Sequence, residues 1–200
     1  MTASTQFWDW FQRHHTTYTL LGSVETCEKD QLLDDLLANL HAYCDQLYFQ
    51  IGGYEEDDLE LIITAEGRKE YFPQVEALVQ DAPLMEGWTV TPFKQPAGGH
   101  FKIHWDDITL DTNDVWFEPL ESEGPSHLGI RVYLRNHDRL QGKEQFRSVL
   151  CTFIETIVGE AAFARDIDYI DSELQPGNPE EEDLMPILEL PEYIDWHRQQ

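Results

Sequence analysis

The sequence predicts an α+β fold: a mainly antiparallel sheet with helices packed on one face, in a single domain over residues 1–200. Three observations carry that expectation. The apolar residues switch repeatedly between helical spacing and strict alternation. The first alternating segments come as a pair joined by a glycine turn, which is a hairpin signature. The helices fall in blocks joined by short connections, without the strand–helix rhythm of a parallel sheet. No internal repeat at a fixed period is visible.

The elements follow in order. Phe7, Trp10, Phe11 and His14 recur at helical spacing after Ser4 and Thr5, which can cap, so an aromatic helix is predicted at 4–15. Leu32, Leu33, Leu36, Leu37, Leu40 and Cys44 form one broad stripe and predict a helix over 28–46. Leu47, Phe49 and Ile51 then alternate with polar residues, and Leu59, Leu61, Ile63 and Ala65 do so again after Gly52-Gly53 and the acidic 55–58 run. Phe72, Val75, Leu78, Val79 and Ala82 predict a helix with Pro73 in its first turn and Pro83 past its end. Trp88, Val90 and Pro92 supply a strand whose proline favours an edge or an end. Further strands are predicted at 100–105, 114–120, 127–135 and 166–173. Phe146, Val149, Leu150, Phe153, Ile154 and Ile157 predict a helix over 143–158, closed by Gly159. An exposed acidic loop is expected at about 175–183, and Pro191 fits the first turn of a short last helix.

Charge sets the functional class. The chain carries 39 Asp and Glu against 13 Lys and Arg, a net charge of −26, yet 41% of its residues are hydrophobic. That much apolar material builds a core, so the acids belong to the surface of a folded protein. Such a surface repels nucleic-acid phosphates and anionic membranes, and attracts cations or basic proteins. The three cysteines are scattered, neither a disulfide framework nor a CxxC metal site, and no export signal or long apolar run is present. A cytoplasmic protein is expected.

Residues Thr64-Ala65-Glu66-Gly67, then Phe72, Pro73, Val75, Leu78 and Val79, Ala82-Pro83, Gly87-Trp88 and Pro96 form a pattern of strand end, helix core, turn and strand. In that pattern the chain resembles an uncharacterised family of bacterial cytosolic proteins of unknown function. A weaker echo stands at Gly159-Glu160. The resemblance implies fold and location and no activity. Acidic proteins of this build also look like immunity proteins that neutralise toxins, an analogy at fold level.

Candidate sites are few. His100, Lys102, His104 and Asp106 share one face of a strand, leaving Phe101, Ile103 and Trp105 to the core. Two imidazoles and a carboxylate, with His127 as a further ligand, would suit a divalent metal and a metal-assisted hydrolase. Strand residues four apart are about 13 Å apart, however, and Lys102 lies between the histidines, so a polar strand face is the expected reading. Ser126 beside His127 lacks the nucleophile-elbow pattern, and Gly142-Lys143 lacks that of a phosphate loop. Cys44 and Cys151 are expected as inert packed thiols. No catalytic residue, metal or cofactor is expected, and the function expected is a non-catalytic protein that binds a basic protein partner. Glu180, Glu181, Glu182 and Asp183 are the expected contact, within a stretch from Arg165 to Arg198 that holds eleven acids and no intervening Lys or Arg. A second such basic-free stretch runs from Ile103 to Ile130. Phe7, Trp8, Trp10 and Phe11 crowd the first helix, and a homo-oligomer seam built from them is the other partner expectation.

Overall fold

The structure, a computed structural model, describes residues 2–22, 24–53, 58–120 and 128–200. The fold is α+β with mostly antiparallel pairing, and the chain divides into two compact units, Met1–Lys94 and Gln95–Gln200. The strands fall into three sheets rather than one.

In the first unit, helices α1 (Ala3–Tyr18) and α2 (Thr26–Tyr43) precede strands β1 (Tyr48–Gly52) and β2 (Leu59–Thr64). A 3-10 turn (Lys69–Tyr71), helix α3 (Phe72–Gln80) and strand β3 (Trp88–Pro92) complete it. Thr2 caps α1 by accepting from the Thr5 backbone N–H at 3.2 Å, so capping lies just before the predicted Ser4 or Thr5. The predicted hairpin is present: Phe49 faces Ile63 and Ile51 faces Leu61 across an antiparallel pair. Of its acidic 55–58 run, all but Asp58 lies outside the described residues. β3 pairs parallel with β2, reached through α3. α2 buries Leu36 and Leu40 completely while Leu33 and Leu37 stay half-buried, so the stripe is narrower than predicted.

The aromatic helix is spent on this unit's own core. Phe7, Trp8 and Phe11 are buried, the indole Nε1 of Trp8 donates to the Leu78 carbonyl at 2.9 Å, and Phe11 meets Trp88 edge-on at 5.3 Å. An oligomer seam would have to compete with that packing. Of the four, Trp10 alone keeps exposed surface, and its ring stacks on His14.

The Thr64–Gly67 segment has a plain structural role. The buried Thr64 hydroxyl accepts from the Glu66 N–H at 2.9 Å. Glu66 (φ 52°) and Gly67 (φ 76°) both take the left-handed region, reversing the chain into the 3-10 turn. Arg68 then lies over the rings of Tyr48 and Tyr71, each 5.4 Å from its guanidinium carbon.

The second unit opens with a two-stranded hairpin, β4 (Lys102–Trp105) and β5 (Ile108–Asp111). Strands β6 (Val115–Leu120) and β7 (Leu128–Leu134) follow, then helices α4 (His137–Leu140), α5 (Phe146–Val158) and α6 (Glu160–Asp166). Strands β8 (Ile167–Leu174) and β9 (Met185–Pro186) and helix α7 (Leu190–His197) end the unit. Its main sheet has the order β8-β7-β6-β9, with β7 and β8 parallel and the other pairs antiparallel. One face (Val115, Phe117, Ile130, Val132, Leu134) packs into a core with Phe146, Leu150, Phe153 and Ile157 of α5, Ile108 and Leu110 of β5, and Leu190 and Ile194 of α7. Helices therefore cover one face of this sheet. β5, α4, α6 and β9 were not predicted; each is short, and β5 is hidden in an acidic run. Gly159, at φ 81°, ends α5, and α6 starts at once with Glu160 wholly buried.

Both units contain the same connectivity: a hairpin, a helical crossover, and a third strand parallel to the second. The strand orders are β1-β2-β3 and β6-β7-β8. The recurrence is topological and leaves no fixed period in the sequence.

Candidate partner-binding surface

Alternation along β6, β7 and β8 decides what the second unit shows on the outer face of its sheet. With Ile130 and Val132 turned inward, Arg131 and Tyr133 point outward. Register places Glu118 opposite Arg131 on one side and Asp171 on the other, and Glu173 opposite Tyr133. The Arg131 guanidinium reaches Asp171 at 3.0 Å, Glu118 at 3.3 Å and Glu173 at 3.5 Å. The Tyr133 hydroxyl donates to Glu118 at 2.7 Å. The bond to Asp171, and then the contact with Tyr133, hold Arg131 above its ordinary pKa. Partial burial, and then the bond to Glu118, raise that of Tyr133. Tyr169 is 55% exposed on the same face. Three carboxylates thus surround one guanidinium on an open, partly aromatic face.

This face joins the two basic-free stretches. Glu118 comes from the first, Asp171 and Glu173 from the second, and β7 lies between them. The expectation that no cation would stand among them is corrected: β7 begins within the first stretch but runs past its end, and so contributes Arg131. The Glu180–Asp183 segment forms a 3-10 turn (Pro179–Glu182) closed by Asp183 at φ 56°, all four acids being exposed, just ahead of edge strand β9.

The histidine candidates do not converge. His100, before β4, has its Nδ1 at 3.5 Å from the Thr112 hydroxyl, and His104 Nδ1 is 3.0 Å from that of Thr109. Lys102 between them pairs with Asp111 at 2.7 Å, and Asp106 stands in the hairpin turn at φ 55°. The pairing holds Asp111 below the usual carboxylate range, chiefly through the bond from Lys102. His127 and Ser126 lie outside the described residues. Among the described residues, no group of three or more His, Cys, Asp or Glu could hold a metal. Trp105 is also corrected: it is 56% exposed, because the turn at Asp106 carries it to the end of the hairpin while Phe101 and Ile103 pack on the core.

One pairing escaped the sequence. His137, at the start of α4, places Nε2 3.1 Å from the Ser172 hydroxyl on β8. They border a cavity of about 340 Å³ with Arg147 and Cys151. Nothing in the spacing of residues 35 apart signals this contact. Burial pushes the Cys151 thiol pKa up, so this sulfur is a thiol rather than a nucleophilic thiolate at neutral pH. Among the described residues, no helix is long and apolar enough to cross a membrane. Compared with protein-family models, curated proteins and solved structures, the chain matches none.

Proposed function

We propose that this is a non-catalytic cytoplasmic binding protein whose acidic surface receives a basic protein, in the manner of acidic immunity proteins. The observation that carries the reading is the outer sheet face, where Glu118, Asp171 and Glu173 outnumber Arg131 three to one across three paired strands. A lysine or arginine of a partner would meet carboxylates already held in place, with Tyr133 and Tyr169 supplying flat contact area. The Glu180–Asp183 turn extends the same charge and would act on encounter rather than on residence. Unpaired Cys27, Cys44 and Cys151 accord with a reducing compartment.

The test is native co-purification followed by association kinetics with the strongest basic partner recovered. Replacing Glu118, Asp171 and Glu173 by Gln, Asn and Gln should weaken the complex and flatten its salt dependence. Neutralising Glu180, Glu181, Glu182 and Asp183 should slow association more than it speeds dissociation. Unchanged rates in both variants, or recovery of no basic partner, would discard the reading.

A further inference from the structure

The cavity bordered by His137 and Ser172 offers a site of a different kind. It measures about 340 Å³ and is lined from α4, the first half of α5 and strand β8. Arg147, in the first turn of α5, is part of that lining, is exposed, and makes no ion pair among the described residues. The helix adds to its positive potential, because that turn holds no acidic residue and no side-chain cap. Asp171 also borders the cavity, but both its oxygens are engaged. Oδ2 accepts from the Arg131 guanidinium at 3.0 Å and Oδ1 from the Ser172 backbone N–H at 2.9 Å. In a chain of net charge −26, the unpaired charge at this cavity is therefore positive.

We infer that this cavity binds a small organic acid, with its carboxylate on Arg147 and Ser172 and its apolar body against Phe146, Leu150 and Ile170. The guanidinium fork matches a carboxylate through two parallel hydrogen bonds. His137 is only 9% exposed, and its Nε2 stands 3.1 Å from the Ser172 hydroxyl oxygen. In the tautomer whose Nε2–H donates to that oxygen, the hydroxyl hydrogen is left for the ligand. One guanidinium balances one negative charge. A phosphate dianion would keep a second charge unmet beside Asp171, inside the negative field of the chain. The volume stands at the small end of ligand pockets, which suits a compact acid. This site does not depend on the basic partner proposed above, so either reading can fail without the other.

Titration of the isotope-labelled full chain with benzoate and with hexanoate, followed at the Ser172 backbone amide by nuclear magnetic resonance, tests this. At least one of the two acids should shift that signal saturably, whereas benzamide, close to benzoate in shape but uncharged, should not. Arg147→Gln should weaken binding of the acid about tenfold, the worth of a charge-assisted hydrogen-bonded pair. Arg147→Lys should restore part of that loss, because it returns the charge without the fork. Arg139→Gln removes a cation of α4 that does not line the cavity and should change nothing. The amide spectrum itself identifies any variant that has lost its fold. The inference is overturned if neither acid shifts the signal, if benzamide binds as well as benzoate, or if phenyl phosphate binds more tightly than benzoate. It is equally overturned if folded Arg147→Gln keeps its affinity.

Discussion

Cys27, Cys44 and Cys151 occupy three different surroundings. Cys27 is exposed in the first turn of α2, whereas Cys44 and Cys151 are half-buried, and burial raises the pKa of Cys151. A thiol reagent at neutral pH should label Cys27 first and Cys151 slowly, with the difference vanishing on unfolding. Fast native labelling of Cys151 would contradict its packing against α5's neighbours. Tyr18 makes a second test. Its hydroxyl donates to the Leu32 carbonyl at 3.1 Å, and burial, reinforced by Asp35, pushes its pKa up to about 12 from 10.0. The folded state therefore holds this proton more tightly than the unfolded chain. The stability it contributes is complete below pH 10.0 and is lost as pH rises towards about 12. Tyrosinate absorbance should record one late-titrating group that Tyr18→Phe removes.

Among the elements, the turn after β2 depends on backbone conformation more than on contacts. Gly67 has φ 76° and open space around its α-carbon, so Gly67→Ala should cost about 1 kcal/mol through left-handed strain alone. Gly142 has equally open space and no left-handed φ, so Gly142→Ala should be neutral or stabilising by up to about 1 kcal/mol. Paired denaturant titrations would separate the two, and equal effects would mean that the turn is not held as described. The β4–β5 hairpin has its own dependence on pH. Asp111 is depressed by Lys102 and Asp107 by Lys143, so both ion pairs are intact above the ordinary carboxylate value of 3.8. They are lost only as pH falls through the lowered values. Carboxyl chemical shifts of these two residues should titrate later than those of exposed acids.

For the whole molecule the dominant quantity is the charge of −26. Phosphates and anionic headgroups meet a field of their own sign, so no binding to duplex DNA or to anionic vesicles is expected at physiological salt. A mobility shift with either would refute the electrostatic reading. The field reaches about 8 Å at that salt, so encounter with a basic partner should slow steeply as salt rises.

Periodicity alone determined the longer elements: the helices around Leu36, Val75 and Phe153, and the strands around Leu61 and Ile130, lie where alternation or helical spacing placed them. It also determined the α+β class and the acidic surface, because local spacing and composition are properties of the chain itself. Pairing between distant strands is not local. Tertiary structure alone decided that the strands form three sheets and that β3 and β8 run parallel to their neighbours. It likewise decided that Glu118, Asp171 and Glu173 converge on Arg131 from three strands. The same holds for His137 meeting Ser172, and for the turn at Asp106 leaving Trp105 in the open. A one-residue change of register would have turned Glu118, Arg131 or Asp171 to the other face of the sheet, and register is set by packing across the sheet rather than by any segment alone.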